Sequence, residues 1–107
     1  MFILRIESQI DPNKMVEFGQ AVDHFLFSNR ERLPGCHQHI YHKWRDTHTV
    51  YYIEEWQSEE RFKEHLHSNR FKSLIGAMKV LGEIQMAQVI TGGQICKLEK
   101  YIKDNQL

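Results

Sequence analysis

Strand-like and helix-like segments follow one another along this sequence in an order that restricts the fold more than any single motif. Met1–Ser8 is apolar and β-branched enough for a strand. Asp11 and Pro12 then mark a helix start, with Asp as the N-cap and Pro at the first helical position. Apolar residues recur at helical spacing at Met15, Phe18, Val22, Phe25 and Leu26. We expect this helix to end near Arg32, because Pro34-Gly35 cannot continue it.

The central part of the chain predicts a β-hairpin followed by two helical pieces. Cys36–Trp44 and Thr49–Gln57 are strand-like, and a polar turn at Arg45–Thr47 joins them. Ser58 then caps a helix whose first turn is acidic, the charge sign that a helix N-terminus favours. The first piece has Phe62, His65 and Leu66 on one face. The second piece has an apolar face of its own, made of Phe71, Leu74, Ile75, Met78 and Leu81.

The last third of the chain completes a mixed fold. Ile84–Thr91 predicts a final strand, Gly92-Gly93 breaks it, and Gln94–Asn105 predicts a C-terminal helix. The order β-α-β-β-α-β plus a tail helix is the split βαβ, or ferredoxin-like, arrangement of the α+β class. The 107 residues fit a single domain, with a core at residues 1–91 and a C-terminal helical extension at 92–107.

Apolar residues occur on both faces of the predicted strands. In the first strand, Leu4 and Ile3 point to opposite faces because side chains alternate along a strand. In the last strand, one face has Ile84, Met86 and Ile90, and the other has Ala87 and Val89. Helices cover only one face of such a sheet, so the other face needs a cover. We therefore expect a homodimer whose two sheets pack face to face.

The charge, hydropathy and cysteine spacing of the chain narrow its expected partners and its expected location in the cell. The chain has 14 Lys+Arg and 14 Asp+Glu, so it lacks the basic excess of a nucleic-acid platform or a polybasic membrane anchor. Its N-terminal apolar segment is too short for a signal peptide, and no stretch approaches the roughly 20 apolar residues of a membrane span. Cys36 and Cys96 lack C-x-x-C spacing and are expected to be free thiols. We expect a cytoplasmic protein with no nucleic-acid or membrane partner.

Three segments are together similar to one known family. They are "LPGC" after the first helix, "YYIEEWQSEERFKEHL", and "FKSLIGAM". Their order and spacing resemble the antibiotic biosynthesis monooxygenase (ABM) family, from about Met1 to Thr91. The resemblance implies a dimeric α+β barrel. It also implies a choice among activities, since the family includes cofactor-free oxygenases of quinols and anthrones, haem-degrading enzymes and an autoinducer-processing enzyme. The fold alone therefore does not determine the reaction, which depends on the residues of the site.

Trp56 is the first candidate site residue. It shares a strand face with Glu54 and Tyr52 because side chains alternate. A tryptophan in a strand is most often a core residue. The resemblance implies instead that Trp56 lines a cavity between the sheet and the helices, where its indole can stack on an aromatic substrate, worth about 1 kcal/mol beyond burial. The expected pocket also includes Glu54 and three phenylalanines, Phe25, Phe62 and Phe71.

His65 is the candidate general base. It lies three residues after Phe62 on the inner helical face, where a hydrogen-bonded core histidine is the alternative interpretation. A deprotonated hydroquinone is electron-rich and can pass an electron to O2, so that the two radicals combine without metal or flavin. Tyr52, Glu54 or Tyr51 would supply a hydrogen bond. The prediction is a cofactor-independent monooxygenase, an oxidoreductase that uses O2 on a quinol or related small aromatic, with His65, Trp56 and Tyr52 as catalytic residues.

The chain departs from the family pattern both at residues used by haem-degrading members and at residues used by oxygenases. Compared with the haem-degrading members, the first strand has no Asn and Ser73–Gly76 has no His, so haem would lack its axial ligand. Many relatives have a His in the segment "SNRF", where this chain has Arg70. The anthrone oxygenases have an amide at the position of Tyr52. Two other activities stay open: a non-catalytic dimeric module that binds an apolar ligand, and an enzyme that degrades or isomerises a small metabolite.

Two further patterns have ordinary explanations. His37 and His39 lie on one strand face and could hold a metal edge-on, but a solvated strand face produces the same pattern, so no metal site is expected. Glu54 and Glu55 are adjacent in a strand and point to opposite faces, so they cannot form a carboxylate pair.

Overall fold

Five antiparallel strands form one sheet in this protein. They are β1 (Phe2–Ile10), β2 (Cys36–Lys43), β3 (Asp46–Trp56), β4 (Gly82–Thr91) and β5 (Gln94–Lys97), in the spatial order β2-β3-β1-β4-β5. The computed structural model describes residues 1–24, 35–43 and 46–107. The order of the first four strands is that of the split βαβ fold, so the predicted α+β, ferredoxin-like class is confirmed.

The described helices are a 3-10 turn (Pro12–Lys14), α1 (Met15–Val22), α2 (Glu59–His67), α3 (Asn69–Leu81) and α4 (Leu98–Asp104). The 3-10 turn and α2 begin directly after the predicted caps, Asp11 and Ser58. The side chain of Asp11 accepts a hydrogen bond from the amide of Asn13 at 2.9 Å, and Ser58 accepts one from the amide of Arg61 at 3.3 Å. The predicted end of the first helix near Arg32 lies outside the described residues. No helix in the described ranges is long and apolar enough to cross a membrane.

The core lies between one face of the sheet and the helices. The strands contribute side chains that are almost completely buried, among them Leu4, Ile6, Ile10, Val50, Tyr52, Trp56 and Val89. The helices contribute Phe18, Val22, Phe62, Leu66, Phe71, Leu74 and Met78. These positions recur at intervals of two along the strands and of three or four along the helices, which is why the sequence pattern predicts them.

A β-bulge in β4 corrects one predicted face. Glu7 of β1 pairs with Met86, but the next residue, Ser8, pairs with Ile84, so Gln85 is an extra residue. Directly opposed residues share a face, and Ser8 is buried under the helices. Ile84 therefore lies on the helical face, and its predicted alignment with Met86 and Ile90 is wrong. Strict alternation failed here because the bulge shifts the phase by one residue.

The opposite face of the sheet has a row of partly exposed apolar side chains. Ile3 is paired with Ile90, which in turn is paired with Ile95, and 65% of the Ile95 surface is exposed. Elsewhere on this face, the Arg5 guanidinium lies 5.5 Å from the centre of the Tyr51 ring. The described helices bury their apolar residues against the other face, so this face lacks a helical cover.

The C-terminal segment differs from the sequence prediction. A continuous helix was expected over Gln94–Asn105, but the chain forms β5 before α4 begins. Gly92 and Gly93 have φ values of +57° and +76°, as required at both central residues of a two-residue hairpin turn. This turn returns the chain against β4, with Gln94 paired to Thr91. The glycines therefore extend the sheet as well as ending β4.

The two cysteines are free, as predicted. Cys36 lies on β2 and Cys96 on β5, which are the two outermost strands of the sheet. Since neighbouring strands are about 4.8 Å apart, four strand spacings separate these two edges. That distance is far beyond disulfide range.

Candidate active site

The carboxyl group of Glu54 is the centre of a buried hydrogen-bond network. Glu54 is fully buried, and its Oε1 accepts a hydrogen bond from the indole Nε1 of Trp56 at 2.9 Å. Its Oε2 accepts a hydrogen bond from the hydroxyl of Tyr52 and lies 2.7 Å from Nε2 of His65. Tyr52, Glu54 and Trp56 meet in this way because alternate residues of β3 share one face. A buried carboxyl group needs such partners, since an unpaired one is costly.

His65 is held in place by helix α2 and by two aromatic rings. The acidic first turn after the Ser58 cap starts α2, and His65 lies on its inner face at 5% exposure. The centre of the imidazole is 5.1 Å from that of the Trp56 ring and 5.1 Å from that of the Phe71 ring. The imidazole is therefore in contact with two aromatic rings, and its Nε2 is directed at Glu54.

The contact with Glu54 decides which nitrogen of His65 is available for chemistry. An ionised carboxylate accepts all three hydrogen bonds that converge on Glu54, and Nε2 of His65 is then the protonated nitrogen. Nδ1 is left with its lone pair and makes no hydrogen bond to any other described residue. This pairing of a histidine with a buried carboxylate is the arrangement that stabilises an imidazolium once Nδ1 has taken a proton.

Tyr52 is a hydrogen-bond donor and not a base. Burial raises the pKa of its phenol far above the ordinary value, and the nearby charge of Glu54 and the hydrogen bond to that carboxylate raise it further. Its hydroxyl oxygen also accepts a hydrogen bond from Nε2 of Gln38 at 3.1 Å. Gln38 thus orients Tyr52, and Tyr52 in turn orients the carboxylate of Glu54.

Sequence analysis missed Gln38 as part of the site. It lies on β2 directly opposite Glu54 of β3, so its side chain shares their face. The signal that would have found it is the register of the β2–β3 hairpin. That register depends on the connection between the two strands.

Cys36 lies near the network without joining it. It is opposite Trp56 in the hairpin, and burial, followed by the charge of Glu54, raises the pKa of its thiol well above the ordinary value. The thiol therefore stays protonated, and a protonated thiol is neither a nucleophile nor a metal ligand.

The phenylalanines predicted for the pocket have different positions. Phe62 is fully buried, with its ring centre 6.3 Å from that of Trp56 and 5.6 Å from that of Tyr101. The ring centre of Phe71 is 5.1 Å from that of His65, and Phe71 also lines a cavity between α3, β4 and α4. Phe25 lies outside the described residues. Tyr51, considered as a donor to the site, is on the opposite face of the sheet.

The cavity beside Phe71 has a volume of about 600 Å³. Among the described residues predicted to form the substrate pocket, Phe71 is the one that lines it. Trp56 is only 2% exposed and packs among aromatic side chains. The structure thus brings Tyr52, Glu54, Trp56 and His65 together as a buried network, and none of these four residues lines the cavity.

The two histidines weighed as a metal pair, His37 and His39, lie on β2. His37 is opposite Glu55 of β3, on the sheet face away from the Glu54 network, and the backbone of His39 pairs with that of Ile53. Within residues 1–24, 35–43 and 46–107, no group of three or more His, Cys, Asp or Glu side chains could hold a metal ion.

Comparisons with known proteins agree with this fold. The family profile described as antibiotic biosynthesis monooxygenase matches residues 1–77, which is more than half of the chain. The chain belongs to the antibiotic biosynthesis monooxygenase family. No curated protein matches its sequence.

Solved structures extend the likeness beyond the matched segment. A proposed antibiotic biosynthesis monooxygenase from Deinococcus radiodurans has a TM-score of 0.71 at 16% identity, over 92% of this chain and 98% of that one. A conserved protein from Methanosarcina mazei has a TM-score of 0.68 at 18% identity, over 90% of each chain. Another solved antibiotic biosynthesis monooxygenase has a TM-score of 0.68 at 16% identity, over 91% of this chain and 97% of that one. At these identities the likeness shows the family's fold alone.

Proposed function

We propose that this protein is a cofactor-independent monooxygenase that uses O2 to oxidise a quinol or a related small aromatic. The observation that carries the proposal is the position of His65, whose Nε2 lies 2.7 Å from the fully buried Glu54. The pair provides a base at Nδ1 together with a carboxylate that stabilises its protonated form. Membership of the antibiotic biosynthesis monooxygenase family supports the same class of reaction.

The reaction begins with a proton transfer to His65. Nδ1 takes a phenolic proton from the quinol, and the resulting anion passes one electron to O2. The substrate radical and superoxide then combine to form a C–O bond, and the imidazolium returns its proton to the peroxide. Loss of the ring proton and cleavage of the O–O bond release water. A quinol and one O2 thus become a hydroxyquinone and one water, and O2 accepts all four electrons that the substrate loses.

The other predicted catalytic residues act through Glu54 in this proposal. Trp56 and Tyr52 each donate a hydrogen bond to one carboxylate oxygen, which keeps the carboxylate directed at His65. They are therefore positioning residues, and we assign the proton transfer to His65 alone. The raised pKa of Tyr52 agrees with this role, because a phenol that stays protonated remains a donor.

Oxygen uptake with a panel of hydroquinones in metal-free buffer tests the proposal. We expect His65→Ala to lower turnover by about 100-fold or more, the usual contribution of a general base. Glu54→Gln should lower kcat and shift the pH profile of kcat, because it removes the charge that stabilises the imidazolium. His37→Ala, on the opposite sheet face, is the control and should retain full turnover.

Two results would contradict this function. One is the absence of oxygen uptake by the wild-type protein across the panel, which would favour a binding module. The other is unchanged turnover in His65→Ala, with circular dichroism showing that the variant is folded.

We also propose that the chain works as a single cytoplasmic domain and as a homodimer. The uncovered apolar sheet face supports the dimer, since a second copy of the same face would bury Ile3, Ile90 and Ile95. The free cysteines agree with a reducing compartment.

A further inference from the structure

The cavity between α3, β4 and α4 is a candidate ligand site that the Glu54 network does not use. Its volume of about 600 Å³ is in the usual range for sites that hold small molecules. Apolar side chains form most of its wall: Leu66, Phe71, Ile75, Ile84, Leu98 and Ile102. Neither Glu54 nor any of its hydrogen-bond partners lines it.

The backbone of β4 is irregular where it borders this cavity. Strand β5 pairs with Gln88–Thr91 only, so among the described residues no strand pairs with the outer edge of Ile84–Ala87. The extra residue of the bulge, Gln85, lies in the same stretch and lines the cavity. A bulge bends its strand and increases the local twist. The bulge and the unpaired edge of β4 thus both lie beside the space between β4 and the two helices.

The rim of the cavity has an excess of positive charge. Lys72, Lys79 and Lys97 line it, against a single acidic residue, Glu99. All three lysines are exposed, and none forms a salt bridge with another described residue. Lys72 and Lys79 are seven residues apart on α3, about 10 Å along the helix axis, and flank the apolar side chain of Ile75. The cavity thus combines an apolar interior with cations at its mouth.

We propose that this cavity binds a small amphipathic anion, such as a medium-chain carboxylate, with its tail among the apolar side chains and its head group at the lysines. The apolar wall favours the tail through burial of hydrocarbon surface. A carboxylate at the rim gains charge-assisted hydrogen bonds from ammonium groups that have no other described partner. The site requires no catalysis, so it is independent of the oxygenase function proposed above.

Calorimetric titration with decanoate tests this site, with decanol as the uncharged probe of matched chain length. Decanoate should bind saturably with one molecule per chain, and decanol should bind about tenfold more weakly, as expected for the loss of one charge-assisted contact. The Lys72→Gln/Lys79→Gln double variant should lose about tenfold in affinity for decanoate and keep its affinity for decanol. Lys100→Gln, an exposed lysine of α4 that does not line the cavity, is the control and should bind both as the wild type does.

Filling the cavity provides a second test. Ile75→Trp places a larger side chain in its wall and should abolish binding of both probes while thermal unfolding shows that the variant is folded. The proposal is overturned if wild-type protein shows no saturable binding of decanoate, or if it binds decanoate and decanol equally. It is also overturned if the double lysine variant retains full affinity for decanoate.

Discussion

A single buried carboxyl group organises the candidate site. Glu54 has no exposed surface, and three different side chains provide its hydrogen-bond partners. A carboxylate in such a place is stable only while those partners are present, because desolvation penalises its charge. Two of these partners have further contacts that hold them in place. Tyr52 accepts a hydrogen bond from Gln38, and His65 packs against the rings of Trp56 and Phe71. We infer that the geometry of His65 depends on residues that never contact the substrate.

Tyr52 should make the stability of the protein fall at alkaline pH. Its folded-state pKa is raised above the unfolded value of about 10, so its stabilising contribution is complete below that pH and is lost as the pH rises above it. The unfolding free energy should then decrease by up to about 1.4 kcal/mol per pH unit for this group. We expect a shallower decrease in Tyr52→Phe, measured by urea unfolding at a series of pH values above 10.

Tyrosinate absorbance at 295 nm provides an independent measurement of the ionisation of Tyr52. The chain has four tyrosines, and the signal of Tyr52 should appear only as the protein unfolds. Equal slopes of unfolding free energy against pH in wild type and Tyr52→Phe would refute the assignment.

At the scale of elements, strand β4 has two features that local patterns do not reveal. The bulge at Gln85 reverses which side chains face the helices, and it lies beside the cavity. At the start of the same strand, Gly82 has an extended backbone that any residue could adopt, but β1 passes very close to it. A Cβ atom at Gly82 would lie 2.1 Å from the carbonyl oxygen of Gln9 and 2.8 Å from the Cα of Ile10. The close approach of two backbones therefore requires glycine there.

Substitution of two glycines by alanine should have opposite effects. Gly82→Ala should lower the unfolding free energy by about 1–3 kcal/mol, because backbone atoms of β1 must move to accommodate the methyl group. Gly76→Ala is the matched control: it lies inside α3 with no heavy atom within 4 Å of the added Cβ. It should raise the unfolding free energy by about 0.5–1 kcal/mol, since glycine is a poor helix former. Urea denaturation measures both changes, and a Gly82→Ala variant as stable as Gly76→Ala would contradict the close approach.

At the scale of the whole molecule, the sheet has one face packed against helices and one face that none of the described helices covers. The uncovered face mixes apolar residues with charged ones, as in the neighbouring Ile3, Arg5 and Glu7 of β1. Such a face is suited to association with another copy of itself, because a twofold axis brings the same surface of the two copies together. The proposed dimer would leave the Glu54 network and the α3–β4–α4 cavity on the outer, helical side of each sheet.

A charge placed on this face should dissociate the dimer. Sedimentation velocity of the wild type at micromolar concentration should give the mass of two chains. Ile90→Glu should give the mass of one, because the interface would have to bury an unpaired carboxylate. Val80→Glu is the control, since Val80 is 73% exposed on α3, a helix that packs on the other face of the sheet. A monomeric wild type, or a dimeric Ile90→Glu, would refute this arrangement.

Much of the fold was predictable because it depends on local rules. The caps at Asp11 and Ser58, the division between α2 and α3, and the first four strands all follow from short-range propensity and periodicity. The same periodicity predicts that Tyr52, Glu54 and Trp56 share a face and that His65 points inward. These predictions required no knowledge of which elements pack together.

Other features could not be predicted because they depend on contacts between distant segments. The phase shift at Gln85 arises from pairing with β1, which is more than 70 positions earlier in the chain. The conversion of Gln94–Lys97 from predicted helix to β5 depends on a free strand edge on β4. The role of Gln38 depends on hairpin register, and the cavity depends on where α4 returns to the sheet.

The amino-acid sequence by itself thus determined which residues form strands and helices and which face inward, since spacing along one element decides both. Only the tertiary structure decided that a strand carboxylate, a helix imidazole and a hairpin amide belong to one hydrogen-bond network. A hydrogen bond acts over about 3 Å, and no periodicity within one element defines the distance to another at that scale.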